Sequence, residues 1–223
     1  MITHNVVQGT AEWLAVRAGI PTASELGNLI TPTGKIRTGE MPNTYLCRKL
    51  AERWTGAPLE SFSGGVMEQG SILEDEAVPW YELAYECELE RPGFITTDDG
   101  SFGCSPDAME PGCGGVEIKC PQPGNHVKWL RLDDCPEEHY LQCQAGMFVT
   151  GCSVWRFVSY HRAFPKLVVD VMRNEEIMET IAKVAGDFKS AMESEYAKLI
   201  ELNGGKEPKR RTPRAEPVVP DQF

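Results

Sequence analysis

The chain reads as a single α/β domain, a central mixed β-sheet of about five strands flanked by helices. Three observations carry this. Apolar residues recur at helical spacing in several stretches, as with Tyr45, Leu46, Leu50 and Trp54 around Lys49. Short alternating or β-branched runs lie between them, as in Ser153–Tyr160 and Leu167–Val171. The 223 residues are 41% hydrophobic and 25% charged, with five Trp, eight Phe and six Tyr, enough to fill one ordinary core.

In chain order, Trp13–Pro21 opens the fold as a short helical or extended piece. Thr22-Ala23-Ser24-Glu25 matches a capping box, and Leu26, Leu29 and Ile30 follow at helical spacing. A helix start exposes backbone N–H groups that attract anions, and Arg17 and the Ser24 hydroxyl would reinforce such a site. Thr31–Asn43 is a surface loop carrying two cations, Lys35 and Arg37. Pro42–Thr55 is a helix stopped by Gly56, and Val66–Tyr85 is a second, with Ile72 on its apolar face and Pro79 expected to bend or divide it. Glu74 lies there in an acidic triplet, which by pattern alone is a solvated face. Cys87–Arg91 and Phe94–Thr97 read as extended, His126–Leu132 as a short amphipathic piece and Glu137–Thr150 as a helix ended by Gly151. That last helix is core-like except for Gln142 and Gln144. Glu175–Leu202 is a long helix with an acidic first turn, suited to the helix dipole. Residues 1–205 form the domain; residues 206–223 lose periodicity and read as a basic, Pro-containing flexible tail.

The stretch richest in chemistry is Gly103-Cys104-Ser105-Pro106-Asp107-Ala108, followed after a turn by Val116-Glu117-Ile118-Lys119-Cys120. As a strand, the second run sends Glu117 and Lys119 to one face and Val116, Ile118 and Cys120 to the other. Pro111–Gly115 supplies turn residues that fold the two runs together. Asp107 and Glu117 then approach closely enough to grip a divalent cation through oxygen. A plain surface hairpin with a Glu–Lys pair fits the same spacing.

Composition narrows the classes. Met1-Ile2-Thr3-His4 is no leader and no apolar run nears 18 residues, so secretion and membrane spanning are not expected and a cytoplasmic protein is. The eight cysteines contain no Cys-x-x-Cys, which argues for free thiols rather than a zinc ribbon, redox pair or iron–sulfur cluster. A net charge of −11 argues against a generally DNA-coating surface. Without the tail, 17 basic residues face 30 acidic ones. Any nucleic acid must therefore bind in a local positive channel.

Taken together, Trp13 with Arg17-Ala18-Gly19-Ile20, Thr22–Glu25, Gly70 with Glu74, Cys104-Ser105-Pro106-Asp107, Glu117-Ile118-Lys119-Cys120-Pro121 and Gln142-Cys143-Gln144 form an ordered set. The set resembles the phage lambda exonuclease family (YqaJ-like viral recombinases and alkaline exonucleases) of the restriction-endonuclease-like PD-(D/E)XK nucleases. Asp-x9-Glu-x-Lys alone is weak; the ordered set, spanning roughly residues 10–200, is specific.

The resemblance implies a restriction-endonuclease-like core and a 5′→3′ exonuclease that degrades one strand of double-stranded DNA from 5′-phosphorylated ends to mononucleotides, leaving 3′ overhangs for recombination. It implies that Asp107, Glu117, the Ile118 carbonyl and Glu74 hold metal, and that Lys119 orients the attacking water or stabilises the phosphate charge. Arg17, Ser24 and Ser105 match positions that bind the terminal 5′-phosphate. Gln142, Gln144 and Trp13 are further active-site or DNA contacts, and Lys35 or Arg37 would stand for a basic residue that helps split the duplex. Hard oxygen donors suit Mg²⁺, two per site, with Mn²⁺ as substitute. The family further implies a ring-shaped homotrimer, a single-strand annealing recombinase as partner, and a phage or prophage origin in a bacterial host. An endonuclease of the same superfamily and a non-catalytic DNA-end binding protein are the rival readings.

Overall fold

The computed structural model describes residues 1–59 and 64–208, the side chains of 64–72 excepted. The elements run β1 (Ile2–His4), α1 (Ala11–Arg17), a 3-10 helix (Ala23–Asn28), α2 (Glu40–Thr55), α3 (Gly64–Tyr85), β2 (Phe94–Thr96), β3 (Gly103–Cys104), β4 (Ala108–Glu110), β5 (Gly114–Lys119), α4 (Pro123–Leu132), α5 (Glu137–Thr150), β6 (Val154–Ser159), β7 (Leu167–Met172) and α6 (Glu175–Leu202). Residues 209–223, and the reading of Ile72 as apolar surface, lie outside what is described.

The strands form two sheets rather than one. A mixed sheet has the order β4-β5-β6-β7, with only β5 and β6 parallel, and an antiparallel sheet has the order β1-β2-β3. The β4–β5 hairpin pairs Ala108 with Val116 across a turn at 111–113, shorter than the 111–115 turn expected because Gly114 and Gly115 already belong to β5. The parallel β5–β6 pair needs a long crossover, and α4 and α5 supply it. Alternation along the strands sorts the two faces. Val116, Ile118 and Val158 pack with Ala77, Val78 and Tyr81 of α3. Trp155 and Phe157 pack on the other side with Leu141, Ala145 and Met147 of α5. The sheet is thus sandwiched between α3 and α5, and α6 backs α5.

The helix ends follow their sequence signals. Gly56 and Gly151 close α2 and α5 with φ of 68° and 77°, left-handed geometry that glycine adopts without a Cβ penalty. Pro79 lies inside an undivided α3, with fully buried Ala77 and Tyr81 on either side of it. Two expectations are corrected. The Thr22–Glu25 stretch opens a six-residue 3-10 helix, and Thr22 makes no side-chain cap. Cys87–Arg91 is not a strand and contributes only an isolated bridge, Glu90 to Met109. β1 adds an unanticipated edge strand whose residues are mostly exposed, so it carries no alternation to read.

The failed cap has a physical cause. Glu25 pairs with Arg48 and with Lys49 at 2.8 Å and takes the Thr22 hydroxyl as a donor at 3.2 Å, while the Thr22 N–H donates to Tyr45 Oη at 3.3 Å. Lys49 also pairs with Glu52 at 3.0 Å, and both are almost wholly buried. Glu52 Oε2 accepts the Gly19 N–H at 3.0 Å, so this buried network clamps the segment from Gly19 to Glu25 onto α2. Breaking a buried pair on one side strands its partner charge. Lys49→Met is therefore expected to destabilise the fold by about 3–5 kcal/mol, read from urea unfolding. A loss under about 1 kcal/mol contradicts a structural role for the network.

Candidate active site

The hairpin aims its charges as β alternation dictates. Glu117 and Lys119 share the α5 face of β5 and pair directly with one another. Glu117 is 2% exposed, while the Lys119 side chain remains about one-third open at 29%. Glu117 Oε1 also accepts from Gln142 Nε2 of α5 at 2.6 Å. Asp107 stands just before β4, and its Oδ2 accepts the Ile118 N–H at 2.6 Å. Glu74 comes from α3 on the opposite side of the sheet.

These acids perturb one another. Burial, followed by the Asp107 charge, lifts Glu74 to about 7. Burial also lifts Glu117 to about 7, with Asp107 and Glu74 adding to the rise and Lys119 opposing it. Burial raises Asp107 as well, against Lys119 and the Ile118 N–H. Burial disfavours the Lys119 ammonium, but Glu117, Asp107 and Glu74 together outweigh this and hold its pKa above the ordinary lysine value. Glu117 alone pairs directly with Lys119, while Asp107 and Glu74 feel the charges of both Lys119 and Arg91. Hard oxygen donors carrying excess negative charge fit a divalent cation such as Mg²⁺ or Mn²⁺. Among the described residues no three His, Cys, Asp or Glu side chains are gathered at metal-holding spacing. Lys119, Gln142 and the Ile118 N–H instead occupy carboxylate oxygens.

Two cavities meet at this hairpin. The smaller, about 120 Å³, is lined by Arg17, Ser24, Ser105, Glu117 and Gln142 among others. The larger, about 430 Å³, is lined by Glu74, Asp107, Ile118 and Arg91. Gln8 lines both and braces the wall between them, donating to Pro106 O at 2.8 Å and Pro92 O at 3.2 Å. In the smaller cavity the Arg17 guanidinium lies 4.0 Å from the Trp13 ring centroid. Trp13 Nε1 donates to Ser105 Oγ and to Gly93 O, each at 3.0 Å, which ties α1 to the β3–β4 connection that carries Asp107. Ser24 lines the cavity from the 3-10 helix, so no α-helix start of the kind expected for an anion site stands there.

The remaining residues sort cleanly. Gln142 is the glutamine at the site. Gln144 is fully buried, donates to Met172 O at 2.8 Å and accepts from the Asn174 N–H at 3.0 Å, so it joins α5 to the start of α6. Residues two apart on a helix point to nearly opposite sides, which is why only one of the two can face Glu117. Neither Lys35 nor Arg37 lines either cavity. Arg37 Nε donates to Gly27 O at 2.8 Å and holds the loop to the 3-10 helix. Gln8 and Arg91, which sequence reasoning missed, carry no motif. No disulfide joins any of the eight cysteines. Among the described residues no helix is long and apolar enough to cross a membrane.

Comparison with known proteins bears on this arrangement. The fold is that of alkaline exonucleases. The chain superposes on the alkaline exonuclease LHK-Exo of Laribacter hongkongensis with a TM-score of 0.77 at 25% identity, covering 88% of this chain and 99% of that one. LHK-Exo in complex with dAMP gives 0.78 at 26% identity with the same coverage. A phage-related exonuclease from Haemophilus somnus 129PT shares the fold, with a TM-score of 0.59 at 15% identity over 82% of this chain and 96% of that one. Residues 12–153 match the YqaJ-like viral recombinase domain, and the chain belongs to that family. Comparison with curated protein sequences returned no match.

The raised carboxylates have a stability consequence. A carboxyl whose folded pKa exceeds its unfolded value binds protons more tightly when folded, so stability falls as pH rises from about 4.5 to about 7. Without added divalent cation, Glu74→Gln is expected to flatten part of this fall in urea-midpoint measurements against pH. A slope equal to that of the parent chain contradicts the raised Glu74.

Proposed function

We propose that this chain is a divalent-metal-dependent DNA exonuclease that digests one strand of duplex DNA in the 5′→3′ direction from a 5′-phosphorylated end. One observation carries the reading: the hairpin that bears Asp107 and Glu117 divides an Arg- and Ser-lined cavity from an acidic one. A terminal phosphate in the first would hold the next phosphodiester at the carboxylates. The family and the alkaline exonucleases of the same fold support nuclease chemistry, and the dAMP complex of LHK-Exo supports a mononucleotide-sized product.

Phosphodiester hydrolysis needs an activated water and a stabilised leaving oxygen. When bound, Mg²⁺ supplies both, by lowering the pKa of water and by neutralising developing charge. Asp107, Glu117, Glu74 and the Ile118 carbonyl would hold it. Lys119, held cationic by its acidic neighbours, orients the water or meets charge growing on the phosphate. Gln142 donates to the same Glu117 oxygen that pairs with Lys119 and so fixes the carboxylate beside it. Arg17, Ser24 and Ser105 bind the terminal phosphate, and the Trp13 indole steadies both Arg17 and Ser105. Arg91, paired with Asp75 at 2.9 Å on the rim of the acidic cavity, offers the strand a phosphate contact.

The same reading includes a ring-shaped homotrimer, which would confine the acidic surface to the outside, and a single-strand annealing partner that takes the 3′ overhang. Both rest on the family resemblance. Sedimentation at the mass of one chain overturns the ring.

The decisive assay follows end-labelled linear duplex with and without Mg²⁺, beside closed circular duplex. Linear DNA bearing 5′-phosphate is expected to be digested only with metal, and circular DNA is expected to remain intact. Lys119→Ala is expected to reduce cleavage at least about a hundredfold while retaining end binding. Cleavage of the circle favours the endonuclease reading. Metal-independent inertness of the parent chain favours an end-binding protein, and full activity of Lys119→Ala removes the lysine from the mechanism.

A further inference from the structure

Trp155 of β6 is 1% exposed, yet its indole Nε1 is a buried donor with no hydrogen-bond partner among the described residues. Buried tryptophan N–H groups usually find one. The same residue lines the smaller cavity with Arg17, Ser24, Ser105 and Gln142. Its placement is enforced by two glycines. A Cβ at Gly115 of β5 or at Gly146 of α5 would collide with the six-membered part of the indole. Gly115 is the register partner of Trp155 across the parallel pair. The ring therefore crosses β5 beneath α5, two residues before Glu117, and reaches the cavity from the sheet side.

Indole is a donor only, so the missing partner is an acceptor. The other polar groups around the cavity include one guanidinium, two hydroxyls and the amides of Gln8 and Gln142, beside one carboxylate, Glu117, whose Oε1 is already taken by Gln142 and Lys119. A cavity of about 120 Å³ holds a group of several atoms. The ligand that answers many donors with many acceptor oxygens is a phosphate monoester. We propose that Trp155 Nε1 is a neutral donor to the terminal 5′-phosphate and helps to select phosphorylated over hydroxyl ends. This rests on reading the cavity as the 5′-phosphate pocket. A 5′-hydroxyl end leaves the buried N–H with no acceptor, so the donor penalises the wrong end as well as rewarding the right one.

The test compares the full chain, Trp155→Phe and Arg17→Ala on linear duplexes with 5′-phosphate or 5′-hydroxyl ends. The readout is the ratio of kcat/KM for the two ends. A purely structural tryptophan affects both ends alike and leaves the ratio unchanged. The inference predicts that Trp155→Phe lowers the ratio about tenfold, the size of one hydrogen bond to a charged acceptor, with Arg17→Ala lowering it too. An unchanged ratio in Trp155→Phe beside a lowered one in Arg17→Ala overturns the role of Trp155 and spares the pocket. Unchanged ratios in both overturn the pocket reading and this inference with it. If Trp155→Phe does not fold, a crystal structure of the parent chain with a 5′-phosphorylated oligonucleotide decides. A phosphate oxygen about 2.7–3.2 Å from Nε1 supports the role. A phosphate held in the cavity without that contact, or bound elsewhere, overturns it.

Discussion

The structure turns on a buried excess of negative charge. Asp107, Glu117 and Glu74 come from a loop, a strand and a helix, Glu117 pairs with Lys119, and burial raises the pKa of all three. A fold selected for stability alone would replace such a cluster with apolar residues, since buried charge is costly unless fully paired. Here α3, the β4–β5 hairpin and α5 are all arranged to bring it together. Gln142 reaches down from α5 to Glu117, and the Ile118 N–H turns toward Asp107. The acids perturb one another as groups do where chemistry is performed.

A second charged network, between Glu25, Arg48, Lys49 and Glu52, is structural and serves the first at a distance. By clamping the segment from Gly19 to Glu25 onto α2, it presents Ser24 to the cavity that also receives Glu117. Trp13 performs the matching task for Ser105 and Arg17. The hairpin is thus a shared wall between a phosphate-sized cavity and an acidic one, braced by Gln8.

Much of this was legible in the sequence because it obeys local periodicity. Alternation in Val116–Cys120 told which face Glu117 and Lys119 take, and the Pro/Gly turn told where the chain returns. Apolar spacing and terminal glycines located α2, α5 and α6 closely. Glu74 was not legible by pattern. Its acidic triplet looks like a solvated face, and only the tertiary approach of Asp107 distinguishes it. The capping box failed because the Glu25 carboxylate found two cations on α2, a contact no local pattern contains. Gln142 and Gln144 were indistinguishable until α5 had an orientation. Trp155 read as one more core residue of an alternating strand, and its meaning depends on Gly115 and Gly146, on elements far apart in sequence.

The central claim, that the buried carboxylates await a divalent cation, is tested most directly by thermal unfolding at pH 8 over a range of Mg²⁺ concentrations. Ligand that binds only the native state raises Tm with its concentration, by about 2.7 kcal/mol of stability at a hundredfold excess over Kd. The parent chain is predicted to show this rise and Asp107→Asn to lose it. An equal rise in both proteins, or none in the parent chain, would contradict the account.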